Sequence, residues 1–403
     1  MSAPLRIALV AGEHSGDQLG FKLMRALRVE ATGPIAFLGV GGEAMEAEGL
    51  ESLFPMSDIA VMGFLPVLAK LPGLLARIRQ TAQAIVAARP DALVIIDSPD
   101  FTHRVARRVR RALPELPVID YVSPSVWAWR PGRAKAMRAY VDCVLALLPF
   151  EPAAHERLGG PRCVYVGHPL IERLSELRPN ADESRRRQAE PPILAVLPGS
   201  RRSVIARMMG DFGEAVARLA RERGPFDVVL PTLPHVEGEV RAHAEHWAVK
   251  PRMEIGEVAK LATFRVAHAA LAASGTVTLE LALAGVPMVG AYKVSRLEEQ
   301  LKYVIKLPHS ILLPNLILGE RAIPEMLQQD CTPDGLAAAL AGLVRAGPAR
   351  QAQIAALAKL DALMRLPDGD APSARAGREV LTTIAARSPG SQKLKEATRA
   401  TQA

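Results

Sequence analysis

The residues of this 403-residue chain that could do chemistry stand in short runs, each just after an apolar stretch. The first run is Ala11-Gly12-Glu13-His14-Ser15-Gly16-Asp17. It follows a strand-like segment and opens a helical one, where free backbone N–H groups and the positive end of the helix dipole favour an anion. Gly12, Glu13, Ser15, Gly16 and Asp17 are therefore candidate substrate-binding residues. The same run also reads as a plain turn capped by Ser15 or Asp17. It is not G-x-G-x-x-G, which argues against a dinucleotide cofactor. The second run, Ile95-Ile96-Asp97-Ser98-Pro99-Asp100-Phe101, sets two carboxylates at a strand end. Asp97 is the general-base candidate and Asp100 its auxiliary. The pair also suits Mg²⁺, and Asp100 also suits a helix cap.

Two further runs lie in the second half. Leu197-Pro-Gly-Ser200-Arg201 repeats the anion arrangement with an arginine whose planar fork can clamp diphosphate oxygens. In Ala273–Glu280, Ser274, Gly275 and Thr276 offer N–H and hydroxyl donors to phosphate, and Glu280 stands one helical turn on, where its carboxylate can accept from ribose hydroxyls. Together the four runs point to a nucleoside-diphosphate donor facing an acceptor site. Tyr121–Arg130 crowds in two of the three tryptophans and is given a positioning role. Phe54–Leu75 is an apolar stretch interrupted by Pro66 and Pro72. It reads as core, or as a surface gripping acyl chains or a membrane interface through Met62, Phe64, Leu65, Leu68 and Leu71.

These runs need a scaffold that presents strand ends. Short apolar strands alternate with helices: Arg6–Gly12, Ile35–Val40, Ala92–Asp97, Val118–Val122, Val144–Leu148 and Cys163–Gly167. A second series follows at Ile193–Leu197, Asp227–Leu230, Ala269–Ala273, Val286–Gly290 and Ile311–Leu313. Helices are expected at Asp17–Arg28, Leu74–Ala88 and Phe101–Leu113. Continuous apolar strands each followed by a helix predict parallel sheets covered on both faces. The fold class is α/β: two doubly wound Rossmann-like domains facing a central cleft, with C-terminal helices. Expected boundaries are 1–170 for the first domain, a polar linker at 171–192, 193–333 for the second domain, helices at 334–386 and a disordered tail at 387–403.

Composition narrows the function. Lys and Arg number 50 against 42 Asp and Glu, so the net charge of +8 suits anionic substrates or lipid. The dense runs Arg104–Arg111 and Arg185–Arg187 read most simply as solvated helix faces. With only 4% aromatics there is little platform for stacking bases, so nucleic acid is not an expected partner. The longest stretch free of Asp, Glu, Lys and Arg is 14 residues, Val266–Leu279, short of a membrane span. Met1–Leu9 lacks the pattern of a cleavable signal, so a cytoplasmic location is expected. Cys143, Cys163 and Cys331 are too few and scattered for a disulfide framework or zinc site.

The chain resembles the lipid-A-disaccharide synthase family. The resemblance is carried by Gly12–Asp17, Ala60–Gly63, Ile96–Phe101, Tyr121–Arg130, Gly167-His-Pro169, Leu197–Arg201, Ser274–Glu280 and Leu313-Pro-Asn-Leu316. It implies a glycosyltransferase-B fold whose C-terminal helices cross back or exchange within a homodimer. The implied substrates are UDP-2,3-diacylglucosamine and 2,3-diacylglucosamine 1-phosphate, handled at the cytoplasmic face of the inner membrane by a peripherally bound enzyme. Asp97 is then the base, Arg201 is essential for the donor diphosphate, and Asn315 joins Ser274–Glu280 on the uridine side. His14 stands where the family usually has a small residue, and is an auxiliary acid/base candidate or a local variation. Val204 stands where the family commonly has glutamate. With Arg201 and backbone N–H groups opposing the leaving charge, neither a metal nor a cofactor is expected. A UDP-sugar 2-epimerase, a transferase with a polyprenyl-linked acceptor, and a non-enzymatic basic binding protein are the competing readings.

Overall fold

The structure, a computed structural model, describes residues 4–59, 64–294 and 310–387, with the backbone alone over 64–70. The chain divides into two compact units, Met1–Pro169 with Leu366–Ala403, and Leu170–Arg365.

Unit 1 is a seven-stranded parallel sheet in the order β3-β2-β1-β4-β5-β6-β7. Its strands are β1 (Leu5–Ala11), β2 (Ile35–Val40), β3 (Glu51–Ser52), β4 (Ala92–Ile96), β5 (Val118–Tyr121), β6 (Cys143–Ala146) and β7 (Arg162–Tyr165). Its helices are α1 (His14–Glu30), α2 (Glu43–Ala47), α3 (Phe64–Ala88), α4 (Pro99–Ala112), α5 (Gly132–Met137) and α6 (Glu151–Arg157). Side chains alternate across the pleat. Ala8, Val10, Leu93 and Ile95 enter one core with Val105 and Val109, while Ile7, Leu9, Val94 and Ile96 enter the other with Leu23 and Leu27. Burial on both faces explains why these strands read as unbroken apolar runs.

Unit 2 is a six-stranded parallel sheet, β10-β9-β8-β11-β12-β13. It is built from β8 (Ile193–Leu197), β9 (Asp227–Thr232), β10 (Arg252–Ile255), β11 (Ala269–Ala273), β12 (Met288–Tyr292) and β13 (Glu325–Leu327). Its helices are α7 (Leu174–Leu177), α8 (Ala181–Gln188), α9 (Arg202–Arg223), α10 (Glu237–Ala244), α11 (Glu257–Val266), α12 (Thr276–Leu283), α13 (Leu313–Leu318), α14 (Pro333–Ala341) and α15 (Pro348–Met364). The last helix, α16 (Pro372–Arg387), returns to unit 1 and packs on α1. There Arg378 pairs with Glu30 (2.9 Å) and Glu379 with Arg162 (2.6 Å). In both sheets the strand order reverses at one point, between β1 and β4 and between β8 and β11. A doubly wound sheet opens a crevice at that point.

Several sequence expectations are corrected. Ile311–Leu313 is no strand: α13 starts at Leu313 with Pro314 in its first turn, and the sheet edge is supplied by β13 on β12. The strand expected at Val286–Gly290 begins at Met288. Gly285 (φ 68°) and Val286 instead close α12, their N–H groups donating to Ala282 and Leu281. Residues 171–192, expected as a linker, hold α7 and α8 and cluster with unit 2. An Asn180–Glu183 capping box starts α8, and Glu183 pairs with Arg265 (2.7 Å). Arg187 donates to the carbonyls of Phe264 and Ala284. Helix α3 is not broken by its prolines: Phe64–Ala88 is one helix, with Pro72 carried inside. Residues 388–403 of the expected tail lie outside the described residues. No helix among the described residues is long and apolar enough to cross a membrane.

Candidate functional site

In unit 1 the site residues gather at the reversal point, where Ala11 of β1 stands in register with Ile96 of β4. The chain leaves β4 through two successive left-handed residues, Asp97 (φ 53°) and Ser98 (φ 45°). Neither is glycine, so the turn is strained and has to be held. Thr102 Oγ1 reaches back from α4 to the carbonyls of Asp97 (2.7 Å) and Ser98 (3.1 Å). Ser98 Oγ donates to Glu13 Oε1 (2.9 Å). A Cβ at Gly12 would lie 2.3 Å from Ser98 Cβ, so glycine there makes room for this turn.

The turn aims the Asp97 carboxylate out of the strand end. One oxygen accepts from the Ser98 N–H (2.7 Å), the other from Ser15 Oγ (3.3 Å). Burial raises its proton affinity above the ordinary carboxylate range, and the charges of Glu13 and Asp120 add to this; the Ser98 and Ser15 donors oppose it. A half-desolvated carboxylate with raised proton affinity, fixed in orientation, is equipped to take a proton from a hydroxyl. Asp100 differs: its side chain is 80% exposed, 3.5 Å from Arg133, in the first turn of α4.

Other candidates here have different partners. Asp17 is buried, and its oxygens accept the N–H groups of Gly42 (2.8 Å), Ala44 (3.0 Å) and Met45 (3.1 Å). It caps α2, and its carboxylate is committed to backbone rather than to a ligand. His14 is exposed and lines a hollow with Gln18, Gly42, Phe54 and Met56. Gly16 packs α1 onto β4, its Cβ position 3.3 Å from the Ile96 carbonyl. Of the apolar segment, Leu71 and Leu75 are 37% and 40% exposed. Met62 lies outside the described residues, and Phe64, Leu65 and Leu68 are described by their helical backbone alone.

In unit 2 a hollow of about 320 Å³ sits over the corresponding reversal point, where Leu197 pairs with Ala272. Its lining brings together Ser200, Arg201, Ser274, Gly275, Thr276 and Glu280. Gly199 takes φ 109°, a conformation that favours glycine, and lets the chain turn into α9. Arg201 stands exposed at the N-cap of α9, and α12 starts at Thr276, so the free N–H groups of two helix starts meet at one hollow. The Ser274 hydroxyl is donated to the Ile311 carbonyl (3.1 Å). Val204 is buried beneath Gly199 as part of the core.

Sequence reasoning missed Lys260. From α11 it places Nζ 2.8 Å from both Glu280 and Glu257, and it lines the same hollow. No motif marks it: with Glu257 one turn earlier on the same face, it reads from the sequence as an ordinary i,i+3 surface pair. His235, also missed, donates Nε2 to the Ser200 carbonyl (3.1 Å). Asn315 does not join the hollow's lining. It is fully buried, exchanges both amide bonds with Ile323 (2.9 Å each) and donates to Glu325 (2.7 Å), which ties α13 to β13. Among the described residues no three His, Cys, Asp or Glu side chains cluster as a metal-ligand set.

Comparison with known proteins adds to this geometry. A family described as Lipid-A-disaccharide synthetase matches residues 7–368. The lipid-A-disaccharide synthase of Nitrobacter hamburgensis is 56% identical over 385 residues, covering 95% of this chain and 97% of that one. That of Rhodospirillum centenum is 45% identical over 388 residues, 95% and 96% of the two chains. Among solved structures, the calicheamicin glycosyltransferase CalG4 superposes with a TM-score of 0.57 at 15% identity, covering 96% of this chain and 100% of that one. The S. aureus MnaA–UDP co-structure gives 0.60 at 14% identity, over 94% and 96%. The two structural likenesses speak for the fold.

Proposed function

The chain belongs to the lipid-A-disaccharide synthase family, and from that premise we propose that unit 1 carries the acceptor half of the reaction and unit 2 the donor half. The reaction moves 2,3-diacylglucosamine from UDP-2,3-diacylglucosamine to the 6-hydroxyl of 2,3-diacylglucosamine 1-phosphate. Its products are the β-1,6-linked tetra-acyl disaccharide 1-phosphate and UDP. The observation that carries the division is the contrast in chemistry: a desolvated, oriented carboxylate at one reversal point and two helix starts with an arginine at the other.

In this reading Asp97 accepts the proton of the acceptor hydroxyl as its oxygen attacks the anomeric carbon. The bond from that carbon to the UDP oxygen breaks on the opposite face, so an α-linked donor yields a β-linked product. Negative charge then builds on the diphosphate, where Arg201 and the N–H groups around Ser200 and Ser274–Thr276 oppose it. Glu280, held by Lys260, accepts from ribose hydroxyls. Exposed Leu71 and Leu75 on α3, with the net positive charge, support peripheral docking at the cytoplasmic face of the inner membrane, where the acyl chains of both substrates lie.

The test is UDP release from both diacylglucosamine substrates in mixed micelles containing EDTA, with the lipid product read by mass spectrometry. A tetra-acyl disaccharide monophosphate is expected. UDP release without that lipid would overturn the acceptor assignment, and loss of turnover on chelation would overturn the metal-free route.

A further inference from the structure

A second strained strand end lies beside Asp97, and its fastening is not used by the chemistry above. Val122, just after β5, has φ 86°, a conformation that a β-branched residue rarely adopts, and Arg130 ends the same segment at φ 54°. Such backbone persists only where its neighbours over-determine it. Here the neighbours come from α6. Glu151 accepts the indole N–H of Trp127 on one oxygen (3.1 Å) and the backbone N–H of Leu148 on the other (3.0 Å). His155, one turn later, shares a hydrogen bond between Nε2 and Ser123 Oγ (2.8 Å). Both side chains are buried, and Phe150 meets Trp127 edge to face at 5.1 Å. The gripped segment connects to the base directly: the Asp97 N–H donates to the Tyr121 carbonyl (3.1 Å).

Apolar residues would pack a helix on this segment without burying a carboxylate. Glu151 faces Trp127 from the segment, Asp120 from β5, Cys163 and Tyr165 from β7, and shares its helix with His155. Burial pushes the Glu151 carboxyl up to about 7, and the charge of Asp120 adds to this; the N–H groups of Leu148 and Trp127 oppose it. Burial lowers the proton affinity of His155 and raises those of Cys163 and Tyr165, so these three are neutral near pH 7. An acid kept at that cost and aimed at one indole fixes a geometry rather than filling space.

We propose that Glu151 and His155 are positioning residues for the transfer: from one face of α6 they hold Val122–Arg130 in its strained path and so keep the Asp97 turn in register. The proposal rests on the synthase reading. In Glu151→Ala, kcat is expected to fall about 10- to 100-fold, the scale of a small misplacement near reacting groups. UDP affinity, set in unit 2, stays as in the wild type, and Glu151→Gln recovers most of the rate. Trp127→Phe keeps an aromatic ring against Phe150 while losing the N–H bond and part of the indole's volume; its kcat is expected to fall about 3- to 10-fold. Wild-type tryptophan emission is expected to titrate with a midpoint near pH 7, and that titration should be absent from both Trp127→Phe and Glu151→Gln. The proposal is overturned by kcat within twofold of wild type in Glu151→Ala and Trp127→Phe, by UDP affinity falling in step with kcat, or by an emission titration that survives Trp127→Phe. If the wild type makes no tetra-acyl disaccharide, the synthase reading fails instead, and the fluorescence still decides whether Glu151 grips Trp127.

Discussion

At the end of β4 the backbone of unit 1 turns through left-handed Asp97 and Ser98, whereas at the end of β8 in unit 2 the left-handed position is taken by Gly199. The first arrangement costs about 1–3 kcal/mol per strained residue and needs Thr102 and Glu13 to hold it. The second is unstrained, and its donors are N–H groups that every helix start leaves free. In the proposed division of labour, the difference follows from the tasks. A base has to be fixed in direction and partly stripped of water, while a diphosphate needs only convergent positive charge, which two helix starts and one arginine supply.

That contrast is broken most sharply by Asp97→Asn. The variant is expected to lose about 10²–10⁴-fold in kcat, the usual contribution of a general base, with UDP affinity unchanged. Folding raises the Asp97 proton affinity, so the stability linked to its protonated form is lost as pH rises through that range. Asp97→Asn removes this loss, and its melting temperature near neutrality should lie above that of the wild type. The donor side responds differently. Arg201→Ala is expected to cost about 10²–10³-fold in kcat/KM and to weaken UDP binding, with Arg201→Lys in between because the planar fork is lost. Isothermal titration with UDP separates the two classes.

Smaller effects sharpen the picture. Gly12→Ala drives a Cβ into Ser98, and about 1–3 kcal/mol of stability should be lost by thermal melting, together with activity. Arg201 and UDP binding should be untouched. The smallest effects lie in the pH profile. With Asp97 as the proposed base, activity is expected to fall as pH drops through its raised range. Glu13→Gln removes a repelling charge and should move that acid limb to lower pH, and Ser15→Ala removes a donor and should move it higher. Each shift is expected to be about one unit or less.

How much of this was legible in the sequence depends on how local the cause is. Ile193–Leu197 and Ala269–Ala273 are strands over the residues expected, because burial on both faces leaves an unbroken apolar run; Ile35–Val40, half-buried over its first four residues, carries an equally apolar run and also matches. The strands Arg252–Ile255 and Glu325–Leu327 escaped notice: they are short edge strands carrying charge, with no such run. Strand-end motifs put Asp97, Arg201, Ser274 and Glu280 at reversal points, since a turn after a strand is a local feature. What the motifs could not reveal is which polar side chains are already spoken for. Asp17 finds its partners at Gly42–Met45 and Asn315 finds its own at Ile323 and Glu325, and only the fold brings these together. Lys260 meets Glu280 across two helices for the same reason.

The central claim, that one half-site supplies the base and the other the anion cradle, is tested most directly in a single-turnover assay. Donor and acceptor are mixed with excess wild-type or Asp97→Asn enzyme, the lipid product is quantified by mass spectrometry, and UDP affinity is measured on the same preparations. The account predicts rapid formation of the tetra-acyl disaccharide 1-phosphate by the wild type, and a rate reduced at least about 10²-fold in the variant with UDP bound equally well. Disaccharide formed by Asp97→Asn at the wild-type rate would contradict it.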